Sequence, residues 1–144
     1  MFEDFYLKVE LCSEDAKMPT RANDSDVGLD FYTPKDITIL PKRDVLIPLD
    51  VKTEFPKGYQ LRFDEKSGVS TKKKLDIGAC IIDPDYRGIV HAHLFNNSDE
   101  TVYFKKGDKV VQGVVTPVWT GLPIQEKVTL NTTRGEGGFG STGQ

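Results

Sequence analysis

The sequence predicts an all-β fold, a sandwich, jelly roll or barrel of short strands, with one short helix and a glycine-rich end. Three observations predict it. Apolar residues recur with a period of two along most of the chain, and clusters of Pro, Gly, Asn and Asp separate the apolar runs at short intervals. The last eleven residues, 134–144, are too rich in glycine to build a core.

The elements follow in order. In Phe5-Tyr6-Leu7-Lys8-Val9-Glu10-Leu11, residues Phe5, Leu7, Val9 and Leu11 fall on one face, the mark of a half-buried strand. Further strands are expected over Gly28–Tyr32, Ile37–Leu40, Asp44–Val51, Tyr59–Phe63, Ile77–Ile82, Ile89–Phe95, Thr101–Phe104 and Lys109–Val118. Turn chemistry divides them: Pro34-Lys35-Asp36, Pro41-Lys42, Pro56-Lys57-Gly58, Asn96-Asn97-Ser98 and Lys106-Gly107-Asp108. The single helix is expected around Val69–Lys74, with Ser67 near its start.

A chain of 144 residues is one domain's worth, with 38% hydrophobic and 28% charged residues. Its formal net charge of −3 argues against general nucleic-acid binding, which wants a basic face. Lysines nonetheless gather at Lys66 and Lys72–Lys74, and again at Lys105, Lys106 and Lys109; such clusters suit a small polyanion or a solvated turn. Cys12 and Cys80 have neither disulfide-framework nor zinc spacing, and free thiols fit a reducing compartment. The acidic start is no signal peptide and no apolar run approaches a membrane span, so a soluble intracellular protein of cytoplasm or nucleus is expected.

Several clusters can carry chemistry. Lys66, Ser67 and Gly68 precede the expected helix, where free backbone N–H groups attract an anion; an ordinary serine N-cap explains the same residues. Asp83 and Asp85 stand in Asp83-Pro84-Asp85-Tyr86 between two strands. Either can cap its own turn or act as a base on water, and the residues alone do not choose between them. Asp30 falls inside a strand where a carboxylate can meet hydrated magnesium, whereas Asp24 and Asp26 suit a solvated loop. His91 and His93 share a strand face, but no third ligand accompanies them and the zinc-deaminase signature is absent. In the glycine-rich end, Arg134 offers a forked cation for phosphate, Phe139 a stacking face, and Ser141 and Thr142 hydroxyl donors. That end is either a loose tail or a strap over a phosphate-bearing, flat-ringed ligand.

Taken in order, five segments resemble the motifs of the trimeric dUTPase family. They are Asp26-Val27-Gly28-Leu29-Asp30, Lys66-Ser67-Gly68-Val69, Gly78 through Gly88, Lys106 through Gln112, and Arg134 through Gly143. The resemblance implies a jelly-roll or distorted-barrel subunit over residues 1–133 with a flexible arm over 134–144. It implies a homotrimer whose arms each close a neighbour's site. The implied reaction is hydrolysis of dUTP to dUMP and pyrophosphate with Mg2+ on the triphosphate. Asp83 would be the general base and Asp30 would touch magnesium through water. Lys66, Ser67, Gly68 and Gln112 would hold phosphate, and Arg134, Gly140, Ser141 and Thr142 would clamp its far end. Phe139 would stack on uracil. A hairpin around Ala79–Tyr86 would read the base edge with the backbone of Ala79 and Cys80, and Tyr86 would exclude a 2′-hydroxyl. Partners beyond dUTP and the trimer, such as nucleic acid or membrane, are not implied.

Three positions depart from the family pattern. Lys66 replaces arginine, keeping the charge but losing the fork. Cys80 replaces glycine, so its thiol points away from the base or reshapes the pocket. Gly113 stands where an aliphatic residue is usual and is expected to remove a packing contact. Two other functions remain as alternatives: a dCTP deaminase on the same fold, and a non-catalytic nucleotide-sensing trimer.

Overall fold

The computed structural model describes residues 5–65 and 74–140. Within them run β1 (Lys8–Leu11), β2 (Leu29–Tyr32), β3 (Ile37–Ile39), β4 (Asp44–Pro48), β5 (Val51–Glu54) and β6 (Tyr59–Asp64). After the gap come β7 (Leu75–Ile77), β8 (Ile81–Ile82), β9 (His91–Asn96), β10 (Val102–Phe104) and β11 (Lys109–Pro117). Among the described residues they form two larger sheets, β2-β11-β6-β8 and β4-β9-β7, and two strand pairs, β1-β5 and β10-β3. Every pairing is antiparallel.

The two-residue period builds the core. In β6, Leu61 and Phe63 are buried while Arg62 between them is exposed; in β9, Ala92 and Leu94 are buried and Phe95 is exposed. One buried cluster takes Phe31, Leu61, Phe63, Val110 and Val111 from the four-stranded sheet and Ile47, Leu75, Ala92 and Leu94 from the three-stranded one. Phe31 and Phe63 meet edge-to-face, ring centres 4.9 Å apart. Such a pair adds about 0.5–1.5 kcal/mol to its burial. Asn96 is fully buried, and its amide nitrogen donates to the carbonyls of Ile39 (3.0 Å) and Glu100 (2.8 Å). Its side-chain oxygen accepts from the Ser98 amide at 2.9 Å, so a buried polar group closes the expected turn with its bonds satisfied.

The structure corrects four expectations. Asp44–Val51 is two strands, not one, because Asp50 takes a left-handed backbone (φ 56°) that ends β4 and starts β5 on a new partner. Ile77–Ile82 is also divided: β7 pairs with β9 and β8 with β6. The segment from Ala79 to Tyr86 is therefore a crossing between sheets, the two-residue strand β8 and a turn, not a hairpin. The helix over Val69–Lys74 is not borne out. No helix occurs among the described residues, and Lys74 sits at φ 55°, which cannot continue a right-handed helix; Val69–Lys73 lie outside the described residues.

Beyond β11 the chain runs through Gly140 without a strand. It carries Trp119, Leu122, Ile124, Val128 and Leu130 in the open, each at least 72% exposed. No described helix is long and apolar enough to cross a membrane.

Candidate active site

Two groups of expected site residues emerge at different places on the four-stranded sheet. The first surrounds Asp83, which follows β8 directly and is exposed. The Asp83 carbonyl accepts from the Tyr86 amide at 3.2 Å, the closing bond of the Asp-Pro-Asp-Tyr turn. That turn brings Tyr86 back beside Asp83, and its hydroxyl donates to the Ile89 carbonyl at 3.1 Å. Ala79, Ile82, Asp83, Tyr86, Ile89 and His91 line a depression of about 220 Å³. Its lining mixes the apolar Ile82 and Ile89 with the carboxylate of Asp83, and its size suits a flat ring better than a whole nucleotide. Cys80 is half-buried and its side chain packs against the core.

The second group lies where β2, β11 and β6 run side by side. Gln112 is level with Asp30 on one neighbour and Asp64 on the other. Its amide nitrogen donates to the Glu65 carbonyl at 3.1 Å, which anchors the chain just before Lys66. Asp30 is buried at 6% exposure, and its carboxylate takes Lys109 Nζ at 3.2 Å. The hydrogen bond and the charge of Asp30 together raise the Lys109 pKa. Lys66, Ser67 and Gly68 lie outside the described residues, as do Ser141 and Thr142.

One chain does not bring these groups together. Ile82 is level with Leu61, so Asp83 emerges near the Gln60 end of β6, whereas Asp30 and Gln112 lie at the Asp64 end. Three strand spacings and about four residues of rise separate Asp30 from Asp83, on the order of 20 Å. Arg134 is exposed and curls on its own turn: its Nε donates to the Gly137 carbonyl at 2.5 Å, and the Gly137 amide donates to the Arg134 carbonyl at 3.0 Å. Phe139 and Gly140 are exposed beyond it.

The paired histidines bond to other groups of the protein. His91 Nδ1 donates to the Ile89 carbonyl at 2.8 Å. His93 uses both ring nitrogens, accepting from the Ala79 amide at Nδ1 (3.3 Å) and contacting Asp44 Oδ2 through Nε2 (2.7 Å). Among the described residues no three His, Cys, Asp or Glu side chains gather as a metal cage. Sequence reasoning saw the His-x-His pattern but had no signal for Asp44, which lies 49 residues from its partner.

The dUTPase family profile matches residues 14–143. The chain belongs to the dUTPase family. Over 138 residues it is 37% identical to the deoxyuridine 5′-triphosphate nucleotidohydrolase of Arabidopsis thaliana, covering 96% of this chain and 83% of that protein. The dUTPase of Staphylococcus bacteriophage 80alpha, solved with dUpNHpp, superposes with a TM-score of 0.90 at 28% identity, covering 96% of this chain and 99% of that one. An Asp-to-Asn variant of the dUTPase from phage phi11 of S. aureus, described as revealing the coordination of a structural Mg(II) ion, superposes at 0.81 with 28% identity. That match covers 86% of this chain and 98% of the phage chain. The all-β fold is thus the jelly roll of the dUTPases.

Proposed function

We propose that this chain hydrolyses dUTP to dUMP and pyrophosphate by in-line attack of water on the α-phosphorus, in sites shared between the subunits of a homotrimer. The observation that carries the reading is an exposed carboxylate, Asp83, on the rim of a ring-sized depression in a chain with dUTPase motifs throughout. Asp83 orients the water and takes its proton, and its exposed position leaves room for both water and phosphate. The backbone of Ala79 and Cys80 meets the uracil edge. Tyr86, fixed through its hydroxyl to the Ile89 carbonyl, packs under the sugar where a ribose 2′-hydroxyl would collide.

Lys66, Ser67, Gly68 and Gln112 hold the inner phosphates; Arg134, Ser141 and Thr142 hold the outer end; Phe139, with Gly140 beside it, stacks on the base. This assignment is supported by the distance between Asp30 and Asp83 within one chain. No single nucleotide reaches both groups comfortably, so a second copy supplies one of them. The exposed apolar row from Trp119 to Leu130 supports the same assembly, because so much unpaired apolar surface marks an interface. Free Cys12 and Cys80 are in keeping with work inside the cell, in cytoplasm or nucleus.

The residues also fit magnesium. Its preferred ligands are oxygens, most of them water and phosphate. Asp30 offers a carboxylate already shared with Lys109, suited to a contact through water rather than to a full protein cage. When bound, magnesium neutralises the triphosphate and fixes its shape.

The test is pyrophosphate release from dUTP, dCTP, dTTP and UTP with magnesium, for the natural chain and for Asp83→Asn. Rapid release from dUTP alone is expected, and the variant should lose about 10²–10⁴-fold in kcat while still binding nucleotide. Near-normal turnover by Asp83→Asn would reject the assigned base. Ammonia from dCTP, or dUTP binding without pyrophosphate, would reject the reaction.

A further inference from the structure

The crossing from β7 to β8 is only three residues long, yet it changes sheets and carries the backbone assigned to the base. The Gly78 amide still donates to the His93 carbonyl at 2.8 Å, extending the β7–β9 ladder. Two residues later the Cys80 carbonyl accepts from Phe63 at 2.7 Å, in the other sheet. Ala79 lies between the two ladders. Its amide donates to a side chain, His93 Nδ1, at 3.3 Å.

That contact fixes the histidine's tautomer. A nitrogen that accepts from an amide carries no proton, so the neutral ring bears its proton on Nε2. This proton points at Asp44 Oδ2, 2.7 Å away. Asp44 stands on β4, where the register sets Leu46 opposite His93 and Asp44 opposite Phe95, so the bond is a diagonal cross-strand contact. Gly78 completes the arrangement: a Cβ there would overlap the imidazole, with Cε1 at 2.6 Å and Cγ at 2.7 Å. The ring reaches Ala79 because residue 78 has no side chain.

We infer that His93, aligned by Asp44, is a positioning residue that sets the base selectivity of the site. The inference rests on the proposal that Ala79 and Cys80 face uracil. Uracil presents an N3–H donor and an O4 acceptor, and cytosine presents the reverse. A backbone reads that difference only if its own N–H and C=O directions are fixed. Among the described residues the imidazole holds the Gly78–Ala79 peptide through its N–H and Phe63 holds the Cys80 carbonyl, which leaves the Ala79 C=O and Cys80 N–H between these two anchors to face the base. Without the imidazole, one anchor of the crossing is lost, and the Ala79–Cys80 peptide can rotate and offer the opposite edge to the base.

The experiment compares steady-state hydrolysis of dUTP and dCTP by the full chain and by His93→Leu, His93→Asn and Asp44→Ala, with melting temperatures in parallel. Leucine fills the space without an acceptor. Asparagine places a carbonyl oxygen near the position of Nδ1. His93→Leu is expected to raise the KM for dUTP and narrow the dUTP-to-dCTP ratio of kcat/KM, each about five- to tenfold, with kcat nearly unchanged. His93→Asn should restore both. Asp44→Ala, which touches an exposed group away from the crossing, should shift them in the same direction by less. The inference is overturned if His93→Leu keeps the natural KM and selectivity, or if His93→Asn is as impaired as the leucine variant. It is overturned equally if kcat and melting temperature fall together while selectivity holds. A natural chain inert toward dUTP would overturn the proposed function and this inference with it; the other outcomes overturn the inference alone.

Discussion

Gly113 shows how one residue reverses its expected role once its neighbours are known. A missing side chain in mid-strand suggests a lost contact. Yet a Cβ at this position would come within 2.7 Å of Phe31, 2.9 Å of Leu61 and 3.2 Å of Phe63. All three are at most 1% exposed, so none can swing into solvent. The glycine makes room for the Phe31–Phe63 ring pair. For Gly113→Ala two effects oppose each other. Losing glycine's backbone freedom in the unfolded chain favours the variant by about 0.5–1 kcal/mol. Overpacking costs about 1–3 kcal/mol where rings are locked on both sides. The second is larger, so a net loss of about 1–2 kcal/mol is expected, read as a lower urea midpoint at unchanged slope. An unchanged or higher midpoint would mean that the rings yield freely. Cys80 follows the simpler course, since its half-buried side chain packs toward the core.

At the scale of elements, the Asp44–His93 pair couples β4 to β9 and makes a prediction about acid. The His93 hydrogen bond is the largest cause holding the Asp44 carboxyl below its ordinary value of 3.8. A depressed carboxylate stabilises the fold above its unfolded pKa and loses that contribution as pH falls through the folded value. The melting temperature of the natural chain should therefore exceed that of Asp44→Asn at neutral pH, and the gap should close below about pH 4. Asp44 is well exposed, so the gap is small. A difference that persists into stronger acid would mean that the pair does not contribute through its charge. Strands such as β6 and β9 were legible in the sequence because one face is buried and alternation records it. The breaks were not. Ile47, Leu49 and Val51 are all buried, so the alternation runs straight through the left-handed Asp50 that separates β4 from β5. Likewise Ile77 and Ile82 both pack on the core although they belong to different sheets, and no local pattern records that exchange. The site motifs were legible for a different reason. Turn chemistry and charged side chains announce themselves locally, as at Asp83-Pro84-Asp85-Tyr86, whereas the support from Asp44 is visible only in three dimensions.

The whole molecule poses the question of where a complete site lies. Asp83 and the Asp30–Gln112 group sit toward opposite ends of β6 on opposite flanks of one sheet, and the segment after β11 extends apolar side chains away from its own core. The proposed homotrimer would resolve both features, because each copy would present Asp83 to the Asp30 group of its neighbour. The arrangement predicts complementation between two inactive chains. Asp30→Asn and Asp83→Asn alone should each be severely impaired. In an equal mixture that is allowed to exchange subunits, a site draws an intact Asp30 from one chain half the time and an intact Asp83 from its neighbour half the time. About a quarter of natural activity should therefore return. If both carboxylates acted within one chain, every chain in the mixture would lack one of them and mixing would restore nothing. Pyrophosphate release measured against mixing ratio separates the two cases, since shared sites give a maximum at equal proportions and unshared sites give a flat line.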